Sequence, residues 1–183
     1  MGRQSELGEK LRALRQGEVE EEYLYALIHE FGNAGFEEAE EEVARFLTHS
    51  DPDLRYIAVN VLALHWGKAA YRPVFERMVF DDPDSNDRGI AARALGYLLR
   101  ESRDKRATRL LIQKVRETDE DRYAIEAAYE ALLDIWVPEK HRAEQSRRKY
   151  ASGATNFGEG PAAPPNIDWG LVAAIERGEL PPI

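Results

Sequence analysis

A few stretches of the chain carry residue types that do chemistry elsewhere. Asp82-Pro83-Asp84-Ser85-Asn86 alternates oxygen-bearing side chains as the first half of a calcium-binding EF loop does. That loop then requires a glycine for its sharp turn and, at its twelfth position, a glutamate that grips the ion with two oxygens. Asp87 and Arg93 stand in those places, so the stretch reads as a helix cap. His29-Glu30 opens like the zinc motif His-Glu-x-x-His, but Asn33 occupies the second histidine position. Glu30 and His65 fall at equivalent places in two neighbouring units, with His29 beside them. The expectation is an ordinary pair at two helix ends rather than a metal site. No glycine-rich phosphate loop and no Gly-x-Ser-x-Gly elbow is present, and there is no cysteine to act as nucleophile, thiolate ligand or disulfide. Trp66, Trp136, Phe75 and Phe80 keep helical spacing and read as core or edge residues rather than a ligand box. The chemistry expected is therefore none: no catalytic residue, no metal and no cofactor.

The elements that hold these residues repeat. Ser50-Asp51-Pro52-Asp53 can cap a helix and start it, and Leu54, Ile57, Ala58, Val61 and Leu62 then recur on one helical face. Asp82 to Arg88 leads in the same way into Ile90, Ala91, Ala94 and Leu95. Thr118 to Arg122 leads into Ile125, Ala128 and Leu132. Arg55, Arg88 and Arg122 lie 33 and 34 residues apart. Around them the pattern predicts eight helices in pairs, over 5–16, 19–31, 36–47, 52–66, 73–80, 87–100, 104–116 and 121–136. Gly17, Gly32 and Gly67 are placed to end three of them. The acidic run Glu37, Glu38, Glu40, Glu41, Glu42 is expected to be a solvated face of the third helix. Two helices per period of about 34 residues imply stacking, because one pair cannot bury its own apolar face.

The repeat lacks the tetratricopeptide and ankyrin signatures. An acidic turn, then Arg, Ala three residues on and Leu seven on, as in Arg55-Ala58-Leu62 and Arg88-Ala91-Leu95, resembles the short HEAT-like repeats first noted in phycobilisome lyases. The likeness spans about residues 18–136 and weakens in the last unit, where Ile125 and Tyr129 replace Ala and Leu. It implies an all-α fold, a right-handed α-α superhelix of the HEAT/ARM type with about four helix pairs in residues 1–138 and a tail in 139–183. It also implies that Asp53, Arg55, Arg88, Asp121 and Arg122 form a structural charged ladder. In such a solenoid the second helices line a concave face. Stepping off the apolar stripe gives Tyr25 and Glu21, then Tyr56 and Asn60, then Arg93 and Arg100, then Tyr123 and Glu126, with Tyr97 at the edge. Tyrosine and arginine are the types that anchor protein interfaces.

Charge narrows the partner. The 47 residues from Val137 onward hold six acids and six bases, so residues 1–136 hold the other 28 acids and 19 bases and the whole net charge of −9. So acidic a body disfavours a nucleic acid, whose binding starts from clustered Lys and Arg. It suits solubility and a basic protein partner equally. No run reaches membrane-span length and the first residues lack an apolar signal core, so a cytoplasmic protein is expected. The function expected is a non-catalytic scaffold that binds a protein or peptide. Two rivals are an enzyme or enzyme subunit of the tetrapyrrole-lyase type, implied by the family likeness, and an acidic immunity-type protein that masks a basic partner.

The tail changes character. Lys140-His141-Arg142 and Arg147-Arg148-Lys149 are basic, and Ala151 to Pro165 reads as a linker. Trp169, Leu171, Val172 and Ile175 then make an apolar set on a segment too short to fold alone. The expectation is that residues 166–177 dock as a helix, as an end cap or in the groove. Docking on a second copy would instead make a homodimer.

Overall fold

The computed structural model describes residues 2–139 and 167–179. The basic stretch at 140–150, the linker at 151–166 and the last four residues lie outside them. Among the described residues there are nine α-helices and no strand. They are α1 (Arg3–Gln16), α2 (Glu21–Ala34), α3 (Glu40–Arg45), α4 (Pro52–Val59), α5 (Arg72–Asp81), α6 (Ser85–Leu98), α7 (Lys105–Val115), α8 (Arg122–Trp136) and α9 (Trp169–Glu176). None is long and apolar enough to cross a membrane.

Aspartates start most of the later helices. Asp51, Asp84, Asp104, Asp121 and Asp168 each accept a hydrogen bond from a backbone N–H two or three residues on. The calcium-like stretch at Asp82 to Asn86 is thus a cap, formed by Asp84. Gly17, in the left-handed region at φ 71°, ends α1 as its position suggests. Gly32 does not end α2. The helix runs on to Ala34, and Gly35 at φ 62° closes it.

The segment 36–47 is not one helix. The six residues of α3 sit between two 3-10 turns, Glu37–Ala39 and Phe46–Thr48. In a regular α-helix Glu37 would face Glu41 and Glu38 would face Glu42 at i, i+4, an unfavourable like-charge spacing. Nor is the acidic run wholly a solvated face, since Glu42 is buried against Arg15 at 2.7 Å and Glu37 and Glu40 hold Lys68. The helix over 52–66 also departs from one geometry: α4 opens into a π-helical turn at Asn60–His65, with Trp66 N–H donating to the Val61 carbonyl at 3.0 Å.

The even-numbered helices pack on one another in chain order, α2 on α4, α4 on α6 and α6 on α8. The later odd helices brace them, α5 against α6 and α7 against α8. Contact along this row is close because small residues meet. A Cβ on Gly96 of α6 would lie 2.7 Å from Ala131 Cα of α8, and one on Gly32 would lie 2.6 Å from a Val61 methyl. The loop between α6 and α7 ties back to the end of α8. Glu101 N–H donates to Asp134 O at 2.9 Å and Arg103 N–H to Ile135 O at 3.2 Å. Glu101 and Arg103 both take positive φ, 58° and 53°, in this loop. One continuous core results, from Leu7 through Phe31, Leu62, Phe75 and Leu95 to Leu132. It extends into α9, which packs on α7 with Leu171, Val172 and Ile175 buried.

Candidate functional site

Two sets of polar residues tie successive units together, and they differ in kind. In the first, arginines sit on the loops. Arg55 donates from Nη1 to the carbonyls of His49 and Ser50, at 2.8 and 3.1 Å. Its other two nitrogens, Nε and Nη2, donate to the Asp82 carboxylate at 3.0 and 2.9 Å. Arg88 repeats the arrangement one unit later, with Nη1 on the carbonyls of Asp82 and Pro83 and a two-pronged grip on Glu120 at 2.8 and 2.7 Å. Arg122 instead meets Glu126 on its own helix, 2.8 Å away.

The acids of this row are not those the HEAT-like resemblance implies. Asp53 is exposed and Asp121 caps α8; Asp82, Asp87 and Glu120 take the arginines instead. Asp84 and Asp121, in the same loops, are spent as helix caps, which leaves Asp82 and Glu120 to meet the arginines, with Asp87 also 2.8 Å from Arg55. Lys114 is almost fully buried yet pairs with Glu120 at 2.6 Å and Glu117 at 2.7 Å, with its ammonium over the Phe80 ring. Burial opposes ionisation of Glu120, but the hydrogen bonds from Arg88 and Lys114 outweigh it and bring its carboxyl down to about 2. Asp87 behaves oppositely. It is fully buried and its nearest cation is Arg55 Nη2, at 2.8 Å. Burial, then the adjacent Asp82 charge, push its carboxyl up to about 7 against the pull of Arg55.

The second set lies on the even-numbered helices and contains the residues selected for binding. Tyr123 of α8 lies against Gly89 of α6, where a Cβ would meet its ring at 2.4 Å. The Arg93 guanidinium sits over the same ring, 5.4 Å from its centroid, and 3.4 Å from Glu130. Burial pushes the Tyr123 phenol up to about 12; Arg93 pulls against this, and the neighbouring Tyr56 phenol of α4 adds to the rise. Tyr56, Arg93 and Tyr123 therefore form one cluster across α4, α6 and α8.

Asn60 is half-buried where the π turn begins. Tyr97 is 40% exposed with Arg100 over its ring at 5.3 Å, and Tyr25 on α2 is 43% exposed. Glu126 is only partly available, because Arg122 holds it. Gly89 is the neighbour of Tyr123 that the repeat pattern did not single out. Its signal was a glycine at a helix position with no turn to explain it.

The metal candidate does not assemble. His29 meets His65 ring to edge at a centroid distance of 6.2 Å, but Glu30 turns away to Lys10 at 2.8 Å. No group of three metal-ligating side chains occurs among the described residues. Of the tail residues, Trp169 is the exception to burial: it is 53% exposed. It occupies the first position of α9, directly after the cap Asp168.

The chain matches no protein-family model, no curated protein and no solved structure.

Proposed function

We propose that this chain is a non-catalytic interaction module, a HEAT-like solenoid whose even-helix face binds a protein or peptide. The observation that carries the reading is the Tyr56–Tyr123–Arg93 cluster. Tyr123 is fixed by Gly89 beneath it and by Arg93 over its ring, so its orientation is set before any partner arrives. Preorganised aromatic and arginine side chains lose little entropy on binding. Tyr97 on α6, Arg100 in the turn after it and Tyr25 on α2 extend the same residue types outward. The acidic body favours a basic stretch in the partner.

The test places a photo-crosslinking side chain at Tyr97 and, as control, at the exposed Arg45 of α3. The tagged chain is then purified from the cells that make it. A stoichiometric protein joined at position 97, not at 45, and lost with Arg93→Glu, is the expected result. A bound chromophore, or capture that ignores the position of the probe, would overturn the reading.

A further inference from the structure

We propose that the cleft between α7 and α9 binds a small organic dianion with an aromatic or apolar body. The proposal concerns a different surface from the even-helix face and does not depend on it. The cleft has a volume of about 710 Å³. That lies within the range of roughly 300–1,000 Å³ seen for small-molecule sites. Its floor is apolar, from Ile112, Trp136 and Ile175. Its rim on α7 is Lys105, Arg109 and Gln113, spaced four residues apart and hence stacked on one helix face.

The charges decide the class of ligand. Most of the ionic groups that line the cleft are already paired: Arg116 with Glu176, Arg177 with Glu179, and Glu117 with Lys114. Lys105 and Arg109 have no acidic partner among the described residues. Both are donors only. Trp136 cannot supply a polar contact, because its indole N–H donates to the Thr108 hydroxyl at 2.8 Å, and that hydroxyl donates to the Asp104 carbonyl at 2.6 Å. The Trp136 ring, with Arg103 over it at 5.8 Å and 6% of the residue exposed, adds a narrow apolar contact instead. Two uncompensated cations above an apolar floor, in a chain of net charge −9, fit an anion with a hydrophobic body. The chain's own segment at 140–150 has the wrong sign, with five Lys and Arg against one Glu.

The test titrates the full chain calorimetrically with four probes. Phenyl phosphate and terephthalate carry both a ring and two charges, and they separate phosphate from carboxylate preference. Inorganic phosphate supplies the charge alone and benzyl alcohol the ring alone. At least one of the first two should bind, and each of the last two about tenfold or more weaker. Arg109→Glu should weaken the better probe about tenfold or more, and Lys105→Gln should weaken it in the same direction. Arg77→Glu, the same charge change at an exposed site on α5, should leave it unchanged. Melting curves confirm that each variant is folded. The proposal fails if neither aromatic dianion binds, if inorganic phosphate or benzyl alcohol binds as tightly, or if Arg77→Glu weakens binding as much as Arg109→Glu.

Discussion

Arg55 holds the Asp82 carboxylate through two hydrogen bonds, 3.0 and 2.9 Å long, between residues 27 positions apart. Both side chains are almost fully buried, and the same guanidinium lies 2.8 Å from buried Asp87. Removing it strands two carboxyls where water cannot replace it. Arg55→Met should therefore cost about 3–5 kcal/mol in urea unfolding. Part of that loss should return when Asp87→Asn is added, because one of the stranded carboxyls is then neutral. Arg177→Ala, which breaks a pair exposed on both sides, should leave the unfolding curve unchanged.

The buried carboxyls also fix a pH dependence of opposite sign at two ends. Asp87 has its carboxyl raised from 3.8 to about 7 in the folded chain, so between those values the folded state binds more protons than the unfolded state. Stability should fall as pH rises through that window, with a slope of up to about 1.4 kcal/mol per unit from this group. Glu120 is lowered from 4.5 to about 2, so its contribution is present above the ordinary value and is lost as pH falls toward 2. Urea unfolding across pH 3–8 should show both limbs. Asp87→Asn should flatten the upper limb and leave the acid one. An unchanged upper limb would mean that Asp87 is ionised at neutral pH.

Two glycines inside helices should respond oppositely to one methyl group. At Gly96 the new Cβ would meet the Ala131 backbone at 2.7 Å, and backbone cannot step aside as a side-chain end can. Gly96→Ala should force α6 and α8 apart and cost roughly 1–3 kcal/mol. At Gly8 in α1 nothing lies within 4 Å. Gly8→Ala should stabilise by roughly 0.5–1 kcal/mol, through helix propensity alone. A thermal melt of each variant tests the pair, and a destabilised Gly8→Ala would contradict the open surface of α1.

Local signals were legible in the sequence and distant ones were not. Gly17 as a terminator and the aspartate caps depend on a few neighbouring residues, and the chain shows them directly. So does the repeated arginine, since Arg55 and Arg88 take loop carbonyls only five and six residues back. Their carboxylate partners lie 27 and 32 residues ahead, and no spacing rule picks Asp82 or Glu120 from a chain this rich in acids. Gly32 was open to misreading for the same reason. Its role is to admit Val61 from the next even helix, which only the packed structure reveals. On the candidate face the residue types were readable, and the structure brings Tyr56, Arg93 and Tyr123 together. The laying of Tyr123 across Gly89 was not readable, because it needs the separation of α6 and α8.

The docking of α9 gives the last test, because two different contacts hold it. Leu171, Val172 and Ile175 are buried against the core, whereas Arg116 and Glu176 meet at 3.0 and 2.7 Å in an ion pair about half exposed at each side. The apolar contact should dominate, since exposed pairs gain little over water and an eight-residue helix does not persist alone. Val172→Asp places a charge at a fully buried position and should release α9. Hydrogen exchange on α7 should then rise, while α2 and α4 keep their protection. Arg116→Ala should leave exchange on both regions unchanged. Light scattering on the native chain should return the mass of one copy, since α9 docks on the α7 of its own chain. Equal exchange on α7 with and without Val172→Asp would show that α9 does not shield it, and a mass of two copies would show that the tail is exchanged between chains.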